Sequence, residues 1–123
     1  MHMIINNQSM VPIYEQIMEQ IKKAIASGEL SEGSMLPSVR GLAAELRISA
    51  LTVKKAYDRL EEEGLTVTVH GKGTFVTETN REIVKEQQRM MAEQELQKVV
   101  EKALRGGLTK QELRDLFEMI MEE

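Results

Sequence analysis

The stretch Ala50–Thr77, ALTVKKAYDRLEEEGLTVTVHGKGTFVT, changes its hydrophobic period halfway along. Up to Glu63 the apolar residues Val53, Ala56, Tyr57 and Leu60 fall at i, i+3, i+4 and i+7, the stripe of an amphipathic helix. Gly64 ends that helix. From Leu65 the period becomes two. Leu65-Thr66-Val67-Thr68-Val69 alternates and is rich in β-branched residues, Gly71-Lys72-Gly73 reads as a hairpin turn, and Thr74-Phe75-Val76-Thr77 returns as a second strand. A helix running into a short β-hairpin is the pattern to be explained.

Two more helices precede it. Ser38 is placed to cap a short helix over Val39–Leu46 that buries Leu42, Ala43 and Leu46. Leu36 must be extended because Pro37 follows it. Arg47-Ile48-Ser49 breaks the pattern before the next helix. Further back, Pro12 opens a helix whose stripe is Ile13, Ile17, Ile21 and Ile25, with Tyr14, Met18 and Ala24. Gly28 is its expected C-terminal stop, and Ser31-Glu32-Gly33-Ser34 reads as a turn. Residues 1–10 are polar and rich in Asn and Gln, and are expected to be an arm that orders late or frays. Three helices and a hairpin make a winged helix–turn–helix.

Glu78 to Asn80 marks the expected boundary, giving a winged domain over residues 1–79 and a tail over 80–123. Arg81 to about Arg105 contains no helix breaker, and Gly106-Gly107 interrupts it. Thr109-Lys110-Gln111-Glu112 matches a capping box and opens a last helix carrying Leu113, Leu116, Phe117, Ile120 and Met121 on one face. Such a helical hairpin is too small to bury a sufficient core alone, and a second copy of itself is the economical cover. The fold class expected is therefore mainly α with a small β-hairpin: a winged helix–turn–helix followed by a short α-helical dimerisation tail.

Composition narrows the chemistry. The 123 residues contain no Cys, which removes disulfides, thiolate metal sites and a Cys nucleophile. The two His are His2 and His70, and no acidic cluster at metal-ligand spacing accompanies them, so neither a metal nor a cofactor is expected. No phosphate loop and no nucleophile–base pair is visible, so the chain does not read as an enzyme. No apolar run reaches membrane-spanning length and no signal peptide is visible, so a cytoplasmic location is expected. The net charge of −4 at first argues against nucleic acid. Both halves contribute equally, with eight basic and ten acidic residues in each of 1–79 and 80–123. On a finer scale, Arg40 to Arg59 holds five basic residues (Arg40, Arg47, Lys54, Lys55, Arg59) against Glu45 and Asp58. An anionic partner would have to meet that window.

Leu36-Pro37-Ser38-Val39-Arg40, Leu42-Ala43, Thr52-Val53-Lys54-Lys55-Ala56-Tyr57, Leu60-Glu61, Glu63-Gly64-Leu65 and Gly71-Lys72-Gly73-Thr74-Phe75-Val76 together resemble the DNA-binding domain of GntR-family transcriptional regulators. Pro12-Ile13-Tyr14-Glu15-Gln16-Ile17 and the short helical tail resemble the YtrA-like branch. The resemblance covers about residues 10–78, and the tail matches by length and type only. It implies a homodimeric regulator of double-stranded operator DNA, commonly a repressor relieved by a small-molecule effector, with no membrane partner. The tail looks too small for one chain to enclose an effector pocket.

In a helix–turn–helix the second helix of the motif enters the major groove, and its N-terminal turn meets base edges. Here that helix is 50–63. On a helical wheel Leu51 and Lys55 lie opposite the core stripe, with Thr52 and Lys54 on the flanks. Glu61-Glu62-Glu63 at the far end is expected to point away from phosphate. The resemblance implies DNA contacts for Arg40, Thr52, Lys54 and Lys55, and for the wing tip His70, Gly71 and Lys72. Ser49 is either a helix cap alone or also a phosphate contact. Ser49-Ala50-Leu51-Thr52 stands where the branch usually has an Asn-Pro-Asn-Thr-like run, so polar base readers are absent at two positions. Leu51 either touches a thymine methyl or packs under the turn. Specificity is then expected to lean on Arg40, Arg47 and DNA shape. The competing reading is an interaction adaptor whose winged helix no longer reads DNA.

Overall fold

The computed structural model describes residues 2–78 and 81–122. Thr79 and Asn80, where the expected domain boundary falls, lie outside the described residues. The element order is α1 (Ile13–Ser27), α2 (Val39–Leu46), α3 (Ala50–Glu62), β1 (Thr66–Val69), β2 (Gly73–Val76), α4 (Arg81–Arg105) and α5 (Lys110–Met121). The chain divides into two compact units, one ending at Glu86 and the other beginning at Gln87.

In the first unit α1 and α2 both pack on α3. The periodicity explains why: Ile17 and Ile21 of α1, Leu42 of α2, and Val53 and Leu60 of α3 are fully buried. Burial of each such side chain stabilises the fold by about 1.5–3 kcal/mol. The helix ends are set locally. Ser38 Oγ accepts the N–H of Gly41 at 3.0 Å and Ser49 Oγ accepts that of Leu51 at 3.1 Å. Pro12 sits at the N-cap of α1 rather than inside its first turn, and its carbonyl accepts the N–H groups of Glu15 and Gln16 at 3.1 Å. Gly28 closes α1 in the left-handed region (φ 86°), its N–H bonding Ile25 O.

β1 and β2 pair antiparallel, Thr66 opposite Val76 and Val69 opposite Gly73. Sequence reading missed a third edge. Leu36 N–H donates to Thr74 O and Val76 N–H to Ser34 O, both at 2.8 Å, so 34–36 runs alongside β2 and roots the wing in the turn before α2. Tyr57 OH donates to Pro37 O at 2.8 Å and holds that turn to α3. Burial pushes the Tyr57 phenol well above its ordinary pKa, so it remains a donor.

The expectation of a frayed N-terminal arm is corrected. Met3 is 5% exposed and belongs to the core. Gln20 of α1 accepts the Ile4 N–H at 2.9 Å and donates to Ile4 O at 2.8 Å. Gln16 accepts the Asn6 N–H at 2.9 Å and donates to Asn6 O at 3.0 Å. Two glutamine amides thus replace the backbone partners that a neighbouring strand would offer.

The first turn of α4 also belongs to the first unit. Val84 is 2% exposed in the core. Arg81 donates from Nε to Ala26 O and from a terminal nitrogen to Ser27 O, both at 2.9 Å. It satisfies carbonyls that the end of α1 leaves unpaired.

The second unit is the rest of α4 followed by α5. Thr109 and Glu112 form the expected capping box, Glu112 N–H to Thr109 Oγ1 at 3.1 Å and Thr109 N–H to Glu112 Oε1 at 3.0 Å. No residue of α5 is buried.

Candidate nucleic-acid interface

The turn Arg47-Ile48-Ser49 sets α3 against α2. Arg47 is the only described non-glycine residue with positive φ (57°), and its N–H caps the end of α2. For an L-residue with a Cβ this conformation costs about 1–2 kcal/mol. The side chain of Arg47 is exposed.

A groove of about 440 Å³ opens between the start of α2, the outer face of α3 and the wing. One end is formed by Val39, Arg40, Ala50 and Leu51, and the other by Thr68 and Thr74 of the hairpin. Along α3 it carries Leu51, Lys54, Asp58 and Glu61, one stripe at i, i+3, i+7 and i+10. Lys54 Nζ lies 2.8 Å from Asp58 Oδ2, and that hydrogen bond and charge raise the Lys54 pKa above its ordinary value. Lys54 is therefore a firmly charged group on the groove wall.

Leu51 is 77% exposed, which removes the possibility that it packs under the turn. Ser49 is the cap of α3. Its oxygen acts there as an acceptor, and the hydroxyl proton remains able to donate. Thr52 is half-buried beside the cap.

Lys55 is exposed, as its place opposite the core stripe predicts, but it lies outside the groove that Leu51 lines. Its ammonium lies 4.1 Å from the centre of the Tyr14 ring on α1, and Arg59 lies 5.5 Å from the same ring. The wheel placed Lys55 opposite the core stripe but could not show that α1 presents an aromatic face there. Glu61 does not point away from the groove. It lines it, and its Oε1 accepts the Thr68 N–H at 3.0 Å, tying α3 to β1. Glu63 does turn away, pairing with Lys22 of α1 at 2.8 Å.

At the wing tip His70, Gly71 and Lys72 are exposed. The Lys72 N–H closes the turn on Val69 O at 2.9 Å, and Gly71 takes φ 77°. A second groove of about 420 Å³ runs between this tip and residues 35–39. Among the described residues no group of three or more His, Cys, Asp or Glu could hold a metal ion.

A helix–turn–helix with an exposed N-terminal turn, a basic side chain on each side of it and a hairpin wing defines a winged-helix DNA-binding protein. The profile described as "Bacterial regulatory proteins, gntR family" matches residues 13–76, and the chain belongs to that family. It is 37% identical over 118 residues to the HTH-type transcriptional repressor YtrA of Bacillus subtilis (strain 168), covering 96% of this chain and 88% of that one. The match thus runs through the tail, in keeping with the YtrA-like features. A GntR family transcriptional regulator from Listeria monocytogenes superposes with TM-score 0.75 at 29% identity, over 94% of this chain and 98% of that one. A crystal structure of AraR(DBD) in complex with operator ORX1 superposes with TM-score 0.56 at 29% identity, over 62% of this chain and 95% of that one. The protein is a DNA-binding transcriptional regulator and not an enzyme. Family membership decides against the adaptor reading. Among the described residues no helix is long and apolar enough to cross a membrane.

Proposed function

We propose that the protein is a cytoplasmic repressor that binds an inverted-repeat operator as a homodimer, with residues 1–79 reading DNA and residues 80–123 joining the two copies. The repressor name of YtrA, similar over most of both chains, supports the sign of regulation. The observation that carries the dimer is the tail. α5 buries nothing, yet Leu96, Val99, Val100, Leu113, Phe117 and Ile120 line an apolar groove of about 480 Å³ between α4 and α5. Met90, Met91, Met119 and Met121 of the same two helices are also exposed. Apolar surface of that kind on so small a unit calls for a cover. The symmetric cover is the same surface on a second chain. A small-molecule effector, if one acts, would enter at this interface.

Arg40, Arg47, Ser49, Thr52, Lys54 and the wing tip 70–72 supply the DNA contacts in this reading, with Ala50 and Leu51 against base edges and Lys55 at the flank. The test joins two measurements on the full chain. Light scattering gives the mass, and gel shift against the DNA upstream of its own gene gives binding. A dimer that loses both mass and affinity in the Phe117→Glu, Ile120→Glu variant is expected. A wild-type chain that is a monomer, or a variant that still binds DNA as tightly as the wild type, would sink the proposal.

A further inference from the structure

The most exposed apolar side chain on the groove face is Leu51, on the first turn of α3. It lines the groove beside Ala50 and Val39, and Arg40 and Lys54 stand on the same wall. A leucine held in water at the point where a recognition helix meets base edges forgoes burial of a whole side chain. Arginine, lysine, asparagine or glutamine at that place would offer hydrogen bonds to guanine or adenine. Leucine and alanine offer none. The one apolar group that the major groove presents is the C5-methyl of thymine.

We propose that Leu51, backed by Ala50 and Val39, reads a thymine methyl in each operator half-site, so that this protein specifies that position by apolar contact. The inference rests on the DNA-reading role proposed above. The packing around Leu51 supports it: its N–H is satisfied by Ser49 and its side chain has no place in the core, so the residue is free of a structural duty.

The experiment uses the full chain and duplexes selected from a random DNA pool. Each thymine of one half-site is replaced in turn by deoxyuridine, which removes the methyl and nothing else. One replacement is expected to weaken wild-type binding roughly fourfold, the value of one buried methyl group. The same replacement should leave the Leu51→Ala variant unchanged. Because Leu51 is exposed, that variant should keep the wild-type Tm. Uniform indifference to deoxyuridine, or a Leu51→Ala loss equal on thymine and uracil duplexes, overturns the thymine contact while leaving DNA binding intact. A pool that yields no enriched sequence overturns the operator-binding reading itself, and this inference with it.

Discussion

Arg47 occupies a left-handed backbone position that glycine or asparagine would hold with less strain. Arg47→Gly is expected to raise stability by about 0.5–1 kcal/mol, after the entropy that glycine loses on folding. The same change should weaken operator binding, so thermal melting and gel shift move in opposite directions. If both fall together, the side chain is structural. Arg40→Ala, by contrast, should weaken binding with Tm nearly unchanged, because Arg40 is exposed on the groove wall. Lys55→Ala behaves differently from Arg40→Ala. Losing the stack on Tyr14 should cost about 0.5–1 kcal/mol, read as a lower urea midpoint, and Tyr14→Leu should reproduce it. The spacing of residues 51–60 already told which side chains leave the core. It could not tell Lys54 from Lys55 in use, because the ring under Lys55 comes from another helix some forty positions earlier in the chain.

The elements whose signals are local were legible in the sequence. Caps at Ser38, Ser49 and Thr109, the glycine stops and the change of period at Leu65 all depend on neighbours a few residues apart. The elements that depend on distant partners were not. The edge at 34–36 is recognisable only by its pairing with β2, and the arm at 3–6 only by the Gln16 and Gln20 amides. Glutamines on the flank of a helix look like solvated surface until a backbone lies beside them. Gln20→Ala is expected to release Ile4 from both of its hydrogen bonds and cost about 1–2 kcal/mol. Hydrogen exchange at the Ile4 amide checks this, and an unchanged protection factor would mean that the Met3 side chain alone holds the arm. Glu61→Ala should likewise loosen the wing at Thr68 without unfolding α3, seen as faster exchange confined to β1.

At the scale of the molecule, the tail and the winged domain have different requirements. Truncation belongs after Glu86 rather than at residue 80, since Arg81 and Val84 serve the first unit. The shortened chain is expected to be a folded monomer by sedimentation that binds its operator far more weakly, because the avidity of two half-sites is gone. A dimer after truncation would place the interface elsewhere. Charge matters at this scale too. At the end of the groove-forming helix Glu63 is bound to Lys22, and on it Asp58 is bound to Lys54, within a chain of net −4. Adsorption to random DNA is driven by counterion release, in proportion to the phosphates a protein neutralises. A chain of net −4, with part of its basic surface already paired to carboxylates, gains less from random DNA than a strongly basic one. Random sites in a genome outnumber an operator on the order of 10⁶-fold or more. A strongly basic regulator is largely absorbed by that excess, whereas an acidic one stays in free solution in greater share. Occupancy of its operator then follows the number of copies synthesised more closely than the amount of chromosome present, so few copies suffice to fill the site.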